Sequence, residues 1–129
     1  MEKTILQPSA LPDPSKNGYS QGVRVGNQLF LAGQTSVDHD YQLLHPNDFE
    51  GQVRQVFANM EAVLAEAGGT LRNLVTMTVF ITDMRFAREF LQLRREILQR
   101  DFPASALIGV SHLANPAALV EIQATAIVD

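Results

Sequence analysis

The sequence predicts a single α/β domain, one mixed six-stranded sheet with two helices on one face. Three observations predict it: two segments with helical apolar spacing, six short extended runs placed around them, and a composition suited to one core. The chain has 129 residues, 46% hydrophobic and 19% charged, so residues 1–129 fit one domain rather than two. Folding at this length buries roughly two-thirds of the surface of the unfolded chain, enough for stability without covalent staples. That agrees with the absence of cysteine, which also excludes disulfides, a thiolate nucleophile and cysteine metal sites.

Taken in order, a first strand is expected at Lys3–Leu6, followed by a turn-rich surface stretch from Pro8 to Gly18. Extended runs at Gln21–Val25 and Gln28–Gln34 flank Gly26-Asn27, which offers the positive-φ residues of a two-residue hairpin turn. Val53, Val56, Phe57, Met60, Val63, Leu64 and Ala67 then mark one face of a helix. Asn47 or Asp48 serves as its N-cap and Gly68-Gly69 as its end. Val75, Met77, Val79 and Ile81 alternate with Thr76, Thr78, Phe80 and Thr82, the period of a β-branched strand. Asp83 is a second N-cap, Phe86, Phe90, Leu93 and Ile97 mark a second helix, and the Phe102-Pro103 step ends it. Strands at Ala104–Val110 and Ala118–Val128 close the order β-β-β-α-β-α-β-β.

Right-handed crossovers place both helices on the same side of the sheet, which leaves the other face bare. Phe30, Ala32, Phe80, Leu107, Leu119 and Ile127 lie on strands whose remaining positions are also apolar, so that face needs a cover. Another copy of the chain is the simplest one. Patterning therefore predicts a homo-oligomer without giving the number of copies.

The formal charge of −4 weighs against a nucleic-acid partner. No apolar run approaches the ~20 residues of a membrane span, and Met1–Ala10 lacks a leader-like apolar stretch, so the expectation is a cytoplasmic protein with no membrane partner. Arg85, Arg88, Arg94, Arg95 and Arg100 all fall in the expected second helix and read either as a solvated face or as a surface that meets an anion. Phosphate-binding glycine loops, serine-hydrolase elbows and zinc-protease motifs are absent. His39, His45 and His112 lack metal-ligand spacing and read as loop histidines, although His112 follows the fifth strand and could line a cleft.

Five short segments stand in a fixed order: Gly18-Tyr19-Ser20-Gln21-Gly22, Leu31-Ala32-Gly33-Gln34, Val79-Phe80-Ile81-Thr82-Asp83, Phe102-Pro103-Ala104 and Val120-Glu121-Ile122-Gln123-Ala124. Each is weak alone, but the succession resembles the Rid superfamily, also called the YjgF family, over essentially the whole chain. The resemblance implies a chorismate-mutase-like homotrimer with small-molecule clefts at the subunit interfaces. It further implies an enamine or imine deaminase (hydrolase) that releases ammonia and needs neither metal nor organic cofactor.

Matched residue by residue to the family pattern, Ser105 stands where active members carry an arginine that grips a substrate carboxylate, and Gln123 where they carry a glutamate. Ala32 replaces a serine and Phe90 an asparagine, whereas Tyr19, Gly33 and Gln34 are retained. Losing a bidentate charged pair removes roughly 3–6 kcal/mol of carboxylate recognition, and glutamate-to-glutamine removes about 10²- to 10⁴-fold in proton-transfer catalysis. The resemblance therefore implies altered specificity. The ligand-binding candidates are Tyr19, Ala32, Gly33, Phe90, Ser105, Leu107 and Gln123, and the catalytic candidates are Glu121, Gln123 and Tyr19. Glu121 shares a strand face with Gln123 and reads either as a displaced catalytic acid or as half of an interface ion pair. Two other readings stand beside this one: a non-catalytic trimer that binds small molecules or partners, and an endoribonuclease-type activity, which the acidic charge disfavours.

Overall fold

The computed structural model describes residues 1–129. Its strands are β1 (Thr4–Leu6), β2 (Gly22–Val25), β3 (Gln28–Gln34), β4 (Leu74–Ile81), β5 (Ala104–Gly109) and β6 (Val120–Ile127); its helices are α1 (Phe49–Ala65) and α2 (Ala87–Leu98). All six strands form one mixed sheet in the order β1-β2-β3-β6-β4-β5. Only β4 and β5, joined through α2, run parallel; the other neighbours are antiparallel. The last strand thus enters the middle of the sheet, between the hairpin and the β4–α2–β5 unit.

Both helices pack on one face. Val53, Val56, Phe57, Met60 and Val63 of α1 meet Leu29 and Leu31 of β3 and Ile122, Ala124 and Ala126 of β6 in a single cluster of 23 buried residues. Asp48 caps α1 by accepting from the Gly51 amide at 3.0 Å. Asp83 caps a short 3₁₀ turn, Met84–Phe86, that leads into α2. Phe86 at the end of that turn stacks on Phe49 at the start of α1, with ring centroids 4.5 Å apart.

Several local expectations are corrected. In the hairpin turn only Gly26 has positive φ (+60°), as suits a turn with glycine at its first central place. The second helix ends at Leu98, before the Phe102-Pro103 step: Gln99 adopts φ +70° and its amide bonds Arg95 O, while the Arg72 guanidinium bonds Leu98 O and Arg100 O. These carbonyls are satisfied without proline. A register shift between Leu74 and Thr76 puts Leu74 in the core and leaves Val75 38% exposed. Of the apolar residues that alternation left on one side or the other of the sheet, Leu107 and Leu119 pack against the core.

The face opposite the helices carries Phe30, Ile108 and Ile127, each more than 40% exposed. Among them lie Thr76, Thr78, Gln123 and Thr125, so the open face is more threonine-rich than alternation suggested.

One buried polar side chain ties α1 to the approach of β6. Gln52, fully buried, donates to His45 O and Ala117 O and accepts from the Leu119 amide at 2.8 Å. Gln52→Ala leaves these groups unpaired in the core and is expected to cost about 2–3 kcal/mol. Urea unfolding of both proteins at equal concentration measures the difference.

Candidate functional site

Two groups of polar residues stand out, one on each side of the sheet. The first forms where the N-terminal end of β6 crosses the end of β3. Glu121 lies on the open face of β6, and its carboxylate rests against the backbone of Gly33; a Cβ at position 33 would overlap Glu121 Oε2. Glycine here lets the Glu121 carboxylate lie directly on the β3 backbone; a side chain at position 33 would displace the carboxylate. The β3–β6 pairing shifts register between Leu31 and Gln34, which opens the strand at this point.

Tyr19 and Tyr41 complete the group. The loop before Tyr19 is anchored by a chain of glutamines: Gln34 Nε2 donates to Gln21 Oε1 and Gln21 Nε2 to Pro12 O, both at 2.9 Å, and Gln7 Nε2 bonds the same Pro12 O. Tyr41 stands in a turn held by the Asp38 carboxylate, which accepts from the amides of Asp40 and Gln42. Tyr41 takes φ +63°, and its buried hydroxyl lies beside the Tyr19 phenol. Asn59 of α1 fixes the preceding segment by donating to Thr35 O and Val37 O, both at 3.0 Å. Thr35, Val37, Tyr41, Ala114, Asn115, Pro116 and Glu121 enclose an open cleft of about 470 Å³.

The electrostatics follow from this packing. Partial burial raises the Glu121 carboxyl above its ordinary pKa, with no cation beside it to reverse the effect. Burial, then the neighbouring Tyr41 phenol and the Glu121 charge, push Tyr19 up to about 12. Tyr19 is thus a neutral hydroxyl at physiological pH, and Glu121 is a carboxyl whose proton affinity is moved toward neutrality.

The second group lies at the outer edge of the sheet, on the helix side. Ser105 and Leu107 of β5 are in register with Met77 and Val79 of β4, both buried beneath the helices. Ser105 is exposed because α2 does not reach across β5. Arg94 of α2 leans over this edge. Its Nη1 donates to Ser105 Oγ at 2.6 Å and lies 3.7 Å from Met77 Sδ, and its guanidinium carbon stands 5.1 Å from the centre of the Phe90 ring. Burial lowers the Arg94 pKa, yet an arginine stays charged.

The residues indicated by the sequence are therefore divided. Tyr19, Ala32, Gly33 and Glu121 belong to the open-face side. Ser105 and Leu107 belong to the β5 edge. Phe90 is fully buried and supports Arg94 from beneath instead of facing a ligand. Gln123 stands on the open face two residues along β6 from Glu121, about 7 Å away, in a shallow depression lined by Phe30, Thr76, Thr78 and Thr125. The carboxylate that meets Tyr19 and Gly33 is Glu121. The expected lack of positive charge at position 105 also needs amendment, because Arg94 places a guanidinium on Ser105. Tyr41 and Arg94 were not singled out as site residues in the sequence.

His39 bonds Ser9 O through Nδ1, His45 lies 4.0 Å from Asp48, and His112 is exposed. The histidines and acids form no group of three that could hold a metal ion. No helix is long and apolar enough to cross a membrane.

Comparison with known proteins places this geometry in a family. The family model described as Endoribonuclease L-PSP matches residues 10–128. A RutC family protein of Pyrococcus abyssi is 31% identical over 98% of both chains. The 2-iminobutanoate/2-iminopropanoate deaminase of Dermatophagoides farinae is 28% identical over 98% of both. Among solved structures, YyfA of the Rid protein family from Yersinia pestis superposes with a TM-score of 0.90 at 32% identity, over 98% of this chain and 100% of that one. Yeast Mmf1 gives a TM-score of 0.90 at 25% identity, over 99% and 100%. With the sheet order, the Tyr19–Gly33–Glu121 corner and these end-to-end matches together, the chain belongs to the Rid superfamily, the family of the Endoribonuclease L-PSP model.

Proposed function

We propose that the chain is a homotrimer that hydrolyses a small imine or enamine in clefts shared between neighbouring protomers. One observation carries this reading: the polar residues of the family pattern fall in two groups on opposite sides of one sheet. The Glu121 corner and the Ser105 edge cannot meet within a single chain. They form one site only if one protomer supplies the first and its neighbour the second. The exposed apolar residues of the open face and the nearly uncovered β5 strand are the surfaces such an assembly would bury.

The chemistry follows from the carboxyl. Water adds to the carbon of the C=N bond, the nitrogen takes up protons, the C–N bond breaks, and ammonia leaves behind a carbonyl compound. Glu121 takes a proton from the attacking water and delivers it to the departing nitrogen, a role that a pKa moved toward neutrality favours. Tyr19, kept neutral and partly exposed, is positioned to hydrogen-bond water or substrate, with the buried Tyr41 hydroxyl beside it. The deaminase name of the dust-mite relative supports this reaction class. The family model's name suggests RNA cleavage instead, but the net charge of −4 and the separated histidines disfavour it.

Release of ammonia from a freshly generated imine of longer side chain is the direct assay, run beside 2-aminoacrylate. Acceleration over the uncatalysed decay is the expected result. Tight ligand binding without turnover of this or any related imine would favour the binding-only trimer.

A further inference from the structure

Arg94 stands apart among the charged side chains of α2. Of the arginines around α2, Arg85 is paired with Asp83 at 2.7 Å and Arg100 with Asp101 at 3.6 Å. Arg88, Arg94 and Arg95 are absent from the chain's ion pairs, and of these Arg94 is the one whose charge is substantially desolvated. Its surroundings orient it without neutralising it: the Ser105 hydroxyl and the Met77 sulfur engage Nη1, and the guanidinium stands over the Phe90 ring. Both recorded hydrogen bonds use Nη1, which leaves the Nε–Nη2 edge free. That edge is the fork which matches a carboxylate with two parallel hydrogen bonds. Beside it opens a cavity of about 390 Å³ lined by Leu91, Arg94, Arg95, Phe102 and Pro103. Leu91 and Phe102 are about half exposed there, apolar surface next to an unneutralised charge.

The geometry points to a binding site for an organic carboxylate with an apolar chain, whose head is held by Arg94, steadied by Ser105, and whose tail lies on Leu91, Phe102 and Pro103. Serine at position 105 is then the holder of the guanidinium rather than a gap where one was lost. Delivered from α2, the charge lies next to a hydrophobic wall, which selects longer side chains over the smallest acids. The inference deepens the proposed function and rests on it only for the bound acid being a substrate; binding itself requires no turnover.

Calorimetric titration of the full-length protein with straight-chain monocarboxylates from acetate to hexanoate tests it. Affinity is expected to rise by roughly twofold to fourfold per methylene. It should fall at least tenfold in Arg94→Ala and by a smaller factor in Ser105→Ala, while hexanamide binds no better than to Arg94→Ala. Glu121→Gln should lose turnover but keep carboxylate binding, which separates failure of this site from failure of the proposed reaction. Unchanged affinity in a folded Arg94→Ala, with far-ultraviolet circular dichroism like the parent, would overturn the inference. So would equal binding of the amide, or a gain of affinity in Glu121→Gln, since the last result means that a neighbouring chain's carboxylate already occupies Arg94.

Discussion

Glu121→Gln is expected to lower turnover of an imine substrate by about 10²- to 10⁴-fold while leaving the protein folded. The size follows from the role: the amide occupies the same space against Gly33 but cannot exchange a proton. The direction for stability follows from the pKa. Glu121 holds its proton more tightly in the folded state than in the unfolded chain, so its ionisation counts against folding as pH rises from the unfolded to the folded pKa, and the penalty persists above both. A neutral glutamine escapes that penalty. At neutral pH the variant should therefore be as stable as the parent or more so, which separates a catalytic loss from a folding loss. The pH–rate profile gives a second signature. The parent should show an inflection above the ordinary carboxylate range, and the residual activity of Glu121→Gln should lack it. Steady-state ammonia release across pH, with thermal melts on the same samples, measures both.

Much of the fold, but only part of the site, is legible in the sequence. The hairpin, both helices and the final strand follow from side-chain period, and the Asp48 cap follows from residue type, because these are local properties. The entry of β6 between β3 and β4 is not local, and nothing in the alternation of Val120–Ile127 announces it. Val75 misleads for the same reason: the bulge that turns it outward is set by the partner strand.

The site divides along similar lines. Glu121 and Gln123 share a face of β6, and only the register against β3 decides which of them meets Gly33. Tyr41 carries no motif, and its place beside Tyr19 comes from a left-handed turn that is visible only after folding. Arg94 left a fainter trace. It lies four residues after Phe90, a spacing that puts an arginine over an aromatic ring on a helix, yet it stands among arginines that read as a solvated face. Substituting Ser105 for an arginine suggests a vanished charge when position 105 is read alone. Read with α2, Ser105 is a partner of the Arg94 guanidinium.

The central claim, that each cleft takes its carboxyl from one protomer and its β5 edge from the next, is tested by subunit mixing. Glu121→Gln disables one half, and Ser105→Trp, at an exposed position, blocks the other; each variant alone should be nearly inactive. In a cyclic trimer, every mixed assembly contains one cleft with both halves intact, so co-assembly of equal amounts should restore about a quarter of the parent rate. Ammonia release no greater than the sum of the two separate variants, from mixed trimers verified by native mass spectrometry, would contradict the shared cleft, as would full activity in Ser105→Trp alone.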